Sequence, residues 1–219
     1  MSRRLIAVVT CGKYSYPDEV SGGHKSGENN LRANAVRQTW YREWLCRYAD
    51  SVDLKFFLGR CDRSPQENEI FLDCGDSYYG LPEKVRKTYD WAYRAGYDFV
   101  AKTDDDVFVH MGRMLANLSD DDYRGFAIES DIRYASGTCY WLSRRAMKLV
   151  ADAEIPKGEW REDLHCGRVL LNNGIQLVND ERFHCCHCDA CQLAVPESSR
   201  ISSHTVDPNR MYELYNSSG

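Results

Sequence analysis

Short apolar runs alternate with helical patterns along this chain, which is the punctuation of an α/β fold. Leu5 to Thr10 is a β-branched run ending at Cys11-Gly12 and predicts a buried first strand. Lys13 to Asn30 holds three glycines and several polar residues without periodicity. It predicts a long loop, the kind of segment that serves as a lid or binding loop. Val36, Trp40 and Trp44 recur every fourth residue and predict one helix over Leu31 to Tyr48. Asp53 to Leu58 reads as the second strand, stopping at Gly59, and Glu69 to Cys74 as the third. Pro82 then takes the first helical position, where its missing N–H costs nothing. That helix runs through Val85, Tyr89 and Ala92 to Gly96.

Asp98 to Thr103 reads as the next strand, and Val107-Phe108-Val109 resumes an extended apolar pattern after an acidic interruption. Gly125 to Ile128 and Gly137 to Leu142 are further strands, and Ser143 can cap the helix carrying Met147 and Val150. Trp160 to Asn173 is a helix closed by Gly174, and Ile175 to Val178 the last expected strand. Beyond Phe183 the pattern dissolves into a cysteine cluster and a polar tail, with a short helix at Asn209 to Tyr215. No internal repeat or low-complexity tract stands out.

Composition narrows the picture only a little. The chain has 219 residues, 43% hydrophobic and 28% charged, enough for one domain with a real core. No apolar run approaches a membrane span, and Leu5 to Val9 is too short for a signal-peptide core. A net charge of −5 argues against a nucleic-acid binder. An acidic chain still takes an anionic nucleotide when a divalent cation bridges the two. The compartment stays open: cytoplasmic if the chain is complete as given, the Golgi or secretory lumen if it is cut from a membrane-anchored enzyme. The sequons at Asn117 and Asn216 tilt slightly toward a lumen.

Lys102-Thr103-Asp104-Asp105-Asp106-Val107-Phe108-Val109 is the most informative segment. Three adjacent carboxylates repel one another, and Asp is a poor strand former. Between two apolar runs they predict a sharp turn at the C-terminal edge of a sheet, where open α/β folds bind ligands. Strand alternation sends Asp104 and Asp106 to one side and Asp105 to the other. Two convergent oxygen donors suit Mn²⁺ or Mg²⁺; a solvated acidic turn is the plainer reading.

The segment Asp98 to Val109 resembles the core motif of the β-1,3-glycosyltransferases of glycosyltransferase family 31, which includes galactosyl- and N-acetylglucosaminyltransferases and the Fringe enzymes. Other segments agree in the same order. Val36-Arg37-Gln38-Thr39-Trp40 resembles the family's Arg-x-Thr-Trp helix, and Phe56-Phe57-Leu58-Gly59 its second strand. Asp76 to Lys84 resembles Asp-x-Tyr-x-Asn-Leu-Thr-x-Lys, with Gly80 and Pro82 in place of the usual Asn and Thr. Trp91, Tyr134-Ala135-Ser136-Gly137 and Glu162-Asp163-Leu164-His165-Cys166-Gly167 complete the series. The middle of the domain is short, and the cysteine-rich tail matches nothing in the family pattern.

The resemblance implies an α/β fold of the GT-A type, Rossmann-like, with a mostly parallel central sheet flanked by helices. Residues 1–183 would form the catalytic domain, and 184–219 a Cys/His-rich segment and tail completing the donor and metal site. It implies an inverting, metal-dependent transferase moving galactose or an N-acetylglucosamine-like sugar from a UDP-sugar to a glycan or glycoprotein acceptor, in β-1,3 linkage. A sugar hydroxyl is a poor nucleophile, so a carboxylate must take its proton. Asp163 occupies the family's catalytic position, near a helix start that favours a carboxylate in any case. The leaving diphosphate needs a cation. Asp106 is the principal expected ligand, Asp104 a second one directly or through water, and His204 a third, with His184 and His187 as rivals. Asp105 is expected on the donor ribose or sugar, Arg37 and Lys84 on the diphosphate or donor sugar, and Asp76 and Thr10 on the base, with a surface salt-bridge role as the alternative for these last four. Trp141, Trp160 and Tyr134 are either sugar-stacking or core aromatics.

Ten cysteines are many, and four of them crowd into Cys185 to Cys191. Cys185, Cys188 and Cys191 suit a structural Zn²⁺, a disulfide-linked loop or a thiol-rich loop equally. Two other functions compete: a divalent-metal phosphohydrolase using the same carboxylates on water, and a non-catalytic interaction module built on zinc.

Overall fold

A computed structural model describes residues 2–10, 28–185, 195–204 and 207–217, with residues 28–30 described by their backbone alone. The expected loop at Lys13 to Asn30 therefore falls mostly outside the described residues. Its last residues start a helix, α1 (Glu28–Gln38).

The first strand, β1 (Arg4–Val9), is buried along nearly its whole length, as the uniformly apolar run predicts for a central parallel strand. It pairs in parallel with β2 (Asp53–Leu58) on one side and β4 (Phe99–Asp104) on the other. Beyond β2 lies the short β3 (Glu69–Phe71), again parallel. Beyond β4, the long β7 (Arg133–Ser143) runs antiparallel to both its neighbours, β4 and β6 (Tyr123–Glu129), and β8 (Val178–Asn179), parallel to β6, closes the far edge. The order is β3-β2-β1-β4-β7-β6-β8.

Period-two alternation divides the apolar residues between the faces of this sheet. Leu5, Ala7 and Val9 enter one core, with Val85 and Tyr89 of α3 (Leu81–Arg94), Met147 and Val150 of α5 (Arg144–Asp152), and Leu170 of α6 (Glu162–Asn172). Ile6 and Val8 enter the other, against Val36 of α1, Trp40 and Trp44 of α2 (Trp40–Arg47), and Met111 and Met114 of α4 (Met111–Ala116). The C-terminal helix α7 (Pro208–Ser217) adds Met211 and Leu214 to this second core.

The structure differs from the sequence reading in three main places. The helix expected over Leu31 to Tyr48 is two helices, because Thr39 leaves helical geometry and its hydroxyl donates back to the Ala35 carbonyl at 2.6 Å. Tryptophan burial survives the break: Trp40 is wholly buried and its indole N–H donates to the Val107 carbonyl at 3.0 Å. The third strand stops at Phe71 rather than Cys74. Most consequential, the tail is structured. Val107 to Val109 forms β5 of a separate three-stranded sheet, whose partners β9 (Phe183–His184) and β10 (Ser202–His204) come from beyond the expected last strand. The order is β5-β10-β9, with β10 antiparallel to β5 and parallel to β9. Runs of two or three residues are too short for periodicity to reveal.

Trp40→Ala is expected to destabilise the chain by about 3–5 kcal/mol, since it removes a filled volume and leaves the Val107 carbonyl without its donor. Urea unfolding measures this directly.

Candidate functional site

The strands β1 and β4 end side by side, with Val9 in register with Asp104. Beyond this edge the chain turns through Asp105 and Asp106 and re-enters an extended path at Val107. A cavity of about 340 Å³ opens there, lined by all three aspartates, by Ser136, Gly137 and Thr138 of β7, and by Glu162 and Asp163 at the start of α6. Alternation therefore does not separate Asp105 from its neighbours. Strand geometry ends at Asp104, and the turn brings the next two carboxylates round to the same hollow.

Helix α6 reaches this edge because it packs closely on β7. A Cβ at Gly167 would come within 2.4 Å of the Tyr134 Cβ, so only glycine permits that approach. Asp163, half-buried, accepts the Gly137 N–H at 3.0 Å and the Leu164 N–H at 2.8 Å, one bond per oxygen. These bonds fix the carboxylate while leaving further lone pairs on each oxygen.

Beneath Asp163 lies a buried charge group that the sequence reading missed. Lys102, wholly buried in β4, donates to Glu162 Oε1 at 2.6 Å, to Asp104 Oδ1 at 2.7 Å and to the Gly137 carbonyl. The other Glu162 oxygen accepts from the Tyr140 hydroxyl at 3.0 Å, which in turn accepts from Tyr89. Burial alone would lower the Lys102 ammonium, but Asp104 and Glu162 outweigh it and hold it above its ordinary value. Burial pushes Glu162 up to about 7 and Asp104 up to about 6, each against the pull of Lys102. The directions are compatible: one ammonium serves two carboxylates and cannot fully replace their lost hydration. A lysine in the middle of an otherwise apolar strand was the signal available in the sequence.

On the other side of the turn, β10 pairs His204 with Val107, one residue beyond Asp106. His204 Nε2 lies 3.4 Å from Asp106 Oδ2, and Nδ1 lies 3.1 Å from the Cys185 carbonyl. A carbonyl only accepts, so Nδ1 carries a proton, and a neutral ring then turns the Nε2 lone pair toward Asp106. Two lone pairs facing each other at that distance need a cation between them, either a proton on the ring or a metal ion. Arg32 Nη1, also buried and also unforeseen, approaches Asp106 Oδ2 at 3.4 Å. Burial would raise Asp106, yet His204 and Arg32 hold it below its ordinary value. His204 moves the opposite way: burial lowers it, and Asp106 more than compensates. Strand β10 is itself anchored, because Ser203 donates to Glu197 Oε1 at 2.7 Å and His110 Nε2 meets the same oxygen at 2.8 Å.

Asp105 is 5% exposed, and its Oδ2 has no hydrogen-bond partner among the described residues. Burial, then the neighbouring Asp106 charge, pushes it well above the ordinary carboxylate range. Among the described residues, no group of three or more His, Cys, Asp or Glu stands ready to hold a metal ion. Asp106 and His204 nevertheless suit Mn²⁺ or Mg²⁺, which use few protein donors and complete their shell with water and phosphate oxygens. Asp104 is turned toward Lys102 instead.

The remaining expected donor contacts lie outside this cavity. Lys84, wholly buried, pairs with Asp76 and donates to the Thr10 carbonyl at 2.5 Å, while Asp76 also accepts the Gly59 N–H at 2.7 Å. This group ties α3 to the ends of β1 and β2. The Thr10 hydroxyl is buried without a hydrogen-bond partner among the described residues. Arg37 bonds Glu69 at 2.7 Å, with its guanidinium over the Phe56 ring. Trp141 is core, stacked on Phe99, whereas Tyr134 and Trp160 line the cavity. His184 is buried in β9 and does not line it. His187, and the zinc expectation at Cys188 and Cys191, lie outside the described residues; of that trio only Cys185 is described.

Gly137 is where backbone and carboxylates meet most tightly. A Cβ there would stand 2.7 Å from Glu162 Oε1 and 3.2 Å from Asp163 Oδ2. Gly137→Ala is expected to leave a folded protein with Glu162 and Asp163 displaced, since the added methyl meets both carboxylates. A crystal structure of the variant beside its thermal unfolding reads both.

No family model matches the chain. Lactosylceramide 1,3-N-acetyl-beta-D-glucosaminyltransferase B of Xenopus laevis is 30% identical over 111 residues, covering 42% of this chain and 29% of that protein. The corresponding Xenopus tropicalis enzyme is 32% identical over 112 residues, covering 42% and 30%. The matched region is thus under a third of each relative's length. Among solved structures, a glycosyltransferase involved in glycosylating the major capsid of PBCV-1 superposes with a TM-score of 0.56 at 12% identity, over 96% of this chain and 98% of that one. At that identity the likeness concerns the fold, which is the GT-A arrangement of a mostly parallel sheet flanked by helices.

Proposed function

We propose that the chain is an inverting, metal-dependent glycosyltransferase that moves a galactose or N-acetylglucosamine-like sugar from UDP to a hydroxyl of a glycan acceptor, in β-1,3 linkage. One observation carries the reading. A partly exposed, backbone-oriented carboxylate, Asp163, shares a single cavity with the Asp106–His204 pair. The first suits proton removal from a hydroxyl and the second suits a cation for a diphosphate. The partial sequence likeness to the two 1,3-N-acetylglucosaminyltransferases supports the donor and linkage.

Asp163 takes the proton of the acceptor hydroxyl as that oxygen attacks the anomeric carbon. The Gly137 and Leu164 N–H groups keep the carboxylate in one orientation for this step. Asp106 and His204 would hold a divalent cation, and that cation would supply positive charge for the leaving diphosphate. Arg32 adds a fixed positive charge beside them. Asp105 accepts from a hydroxyl of the donor, which gives its buried oxygen a partner. Lys102 keeps Asp104 and Glu162 in place from below.

Calorimetric titration with UDP tests the reading. Binding is expected with Mn²⁺ present, to vanish with EDTA, and to weaken about tenfold or more in His204→Ala. Absence of UDP binding with and without Mn²⁺ would falsify the proposal. Unchanged affinity in the variant would remove His204 from the metal.

A further inference from the structure

Trp160, which lines the cavity, and Tyr79, in ring contact with it, take no part in either core. Tyr79 is 57% exposed and Trp160 is 39% exposed; the other large exposed hydrophobic side chains among the described residues are all aliphatic. Tyr79 belongs to the short turn before α3 and Trp160 to the segment leading into α6, yet their rings meet. Their centroids are 6.4 Å apart, and Tyr78 stands 5.8 Å from Trp160 and 6.1 Å from Tyr79. Tyr78 and Trp160 line the same cavity as Asp163.

The platform is held rather than loose. Glu159 Oε1 accepts the Trp160 and Arg161 N–H groups at 3.1 and 3.0 Å. Its other oxygen takes Arg168 at 3.2 Å, and Arg168 is tied to Asp131 at 2.8 Å. Gly158, at φ +85°, makes the turn that sets Glu159 in this position. Exposed aromatic surface fixed in this way gains little for folding but is ready to receive a flat apolar partner at low entropic cost.

We propose that Tyr79 and Trp160 form the acceptor subsite, one ring receiving the C–H face of a neutral pyranose and the other, set at 76° to it, walling its side, with the hydroxyl edge directed toward Asp163. This rests on the transferase reading and specifies its acceptor class. A pyranose has an apolar C–H face and a polar rim, which suits an aromatic platform bordering a polar cavity. Arg161 places a guanidinium 5.9 Å from the Trp160 ring centroid, but the charge on the Tyr79 side is acidic and sets the preference for a neutral sugar. A second hollow, of about 600 Å³, shares Tyr79 and is lined by Glu83, Asp152, Glu154 and Glu159 against the single cation Arg86. An acceptor bearing sulfate or carboxylate beside the stacked ring meets repulsion there.

Saturation-transfer NMR with lactose, methyl β-galactoside and methyl β-N-acetylglucosaminide, with and without UDP and Mn²⁺, tests this. At least one neutral glycoside is expected to bind, with the strongest transfer to one ring face. Trp160→Ala and Tyr79→Ala should weaken it about tenfold and Trp160→Phe less than about threefold, all with unchanged thermal unfolding. Lactose 3′-sulfate should bind more weakly than lactose. Wild-type affinity in both alanine variants, tighter binding of the sulfated sugar, or no glycoside bound under any condition would each overturn the assignment. Because sugar binding is read apart from UDP binding, failure here is distinct from failure of the donor and metal reading.

Discussion

An Asp163→Asn variant is expected to bind UDP-sugar as the parent chain does and to transfer the sugar about 10²–10⁴ times more slowly. The amide presents one acceptor where the carboxylate presents two, so one of the bonds from Gly137 and Leu164 is lost. The stability cost of that is small, about 1 kcal/mol, and cannot account for such a rate loss. The neighbouring Glu162 is the rival base. Burial pushes it up to about 7, the range in which a general base works well. Its oxygens, however, are engaged by Lys102 and Tyr140, and it is nearly inaccessible. Single-turnover rates of Asp163→Asn and Glu162→Gln decide between them: the chemical step should collapse in the first and survive in the second. Full transfer by Asp163→Asn would remove Asp163 as the base.

The second large effect concerns stability. Lys102→Met takes away the one ammonium that Asp104, Glu162 and the Gly137 carbonyl share. Leaving buried carboxylates unpaired costs about 3–5 kcal/mol. The pH dependence has a definite sign. Glu162 in the folded protein sits above its unfolded value of 4.5, at about 7. Between those values the folded state holds the extra proton, so the contribution of Glu162 is complete below about pH 4.5 and declines as pH rises through about 7. Without Lys102 the folded carboxyl moves higher still, and the window widens upward. Urea unfolding should therefore show the variant more destabilised at pH 8 than at pH 5, with Glu162→Gln added to it recovering part of the loss. Equal destabilisation at the two pH values would show that Glu162 stays charged without its lysine.

Long periodic elements were legible in the chain, and contacts made by isolated polar residues were not. Strands β1, β2 and β4 and helices α3, α5 and α6 follow from apolar runs and helical stripes with recognisable stops, such as Gly96 and Gly174 at positive φ. The acidic turn was legible because three Asp residues interrupt two buried runs. Arg32 was not, since an arginine near a helix start looks like any solvated one until it meets Asp106. Lys84 and Asp76 looked like ligand contacts because their type and motif suit an anion and a base. Tertiary packing instead buries them against each other and against Thr10. The three-stranded sheet was invisible for a different reason. Its strands have two or three residues each, and β10 reaches back to pair with β5 from the far end of the chain.

That small sheet also governs when the cavity becomes whole. The Asp163 side is assembled from β4, β7, α3 and α6, all of which precede residue 173, whereas His204 meets Asp106 through β10, which sits between β5 and β9. During synthesis Asp106 must wait for the ribosome to deliver the whole stretch from β5 to β10 before its imidazole arrives. A chain emerging from the ribosome would thus hold its base-side architecture first and gain the cation-side pair last.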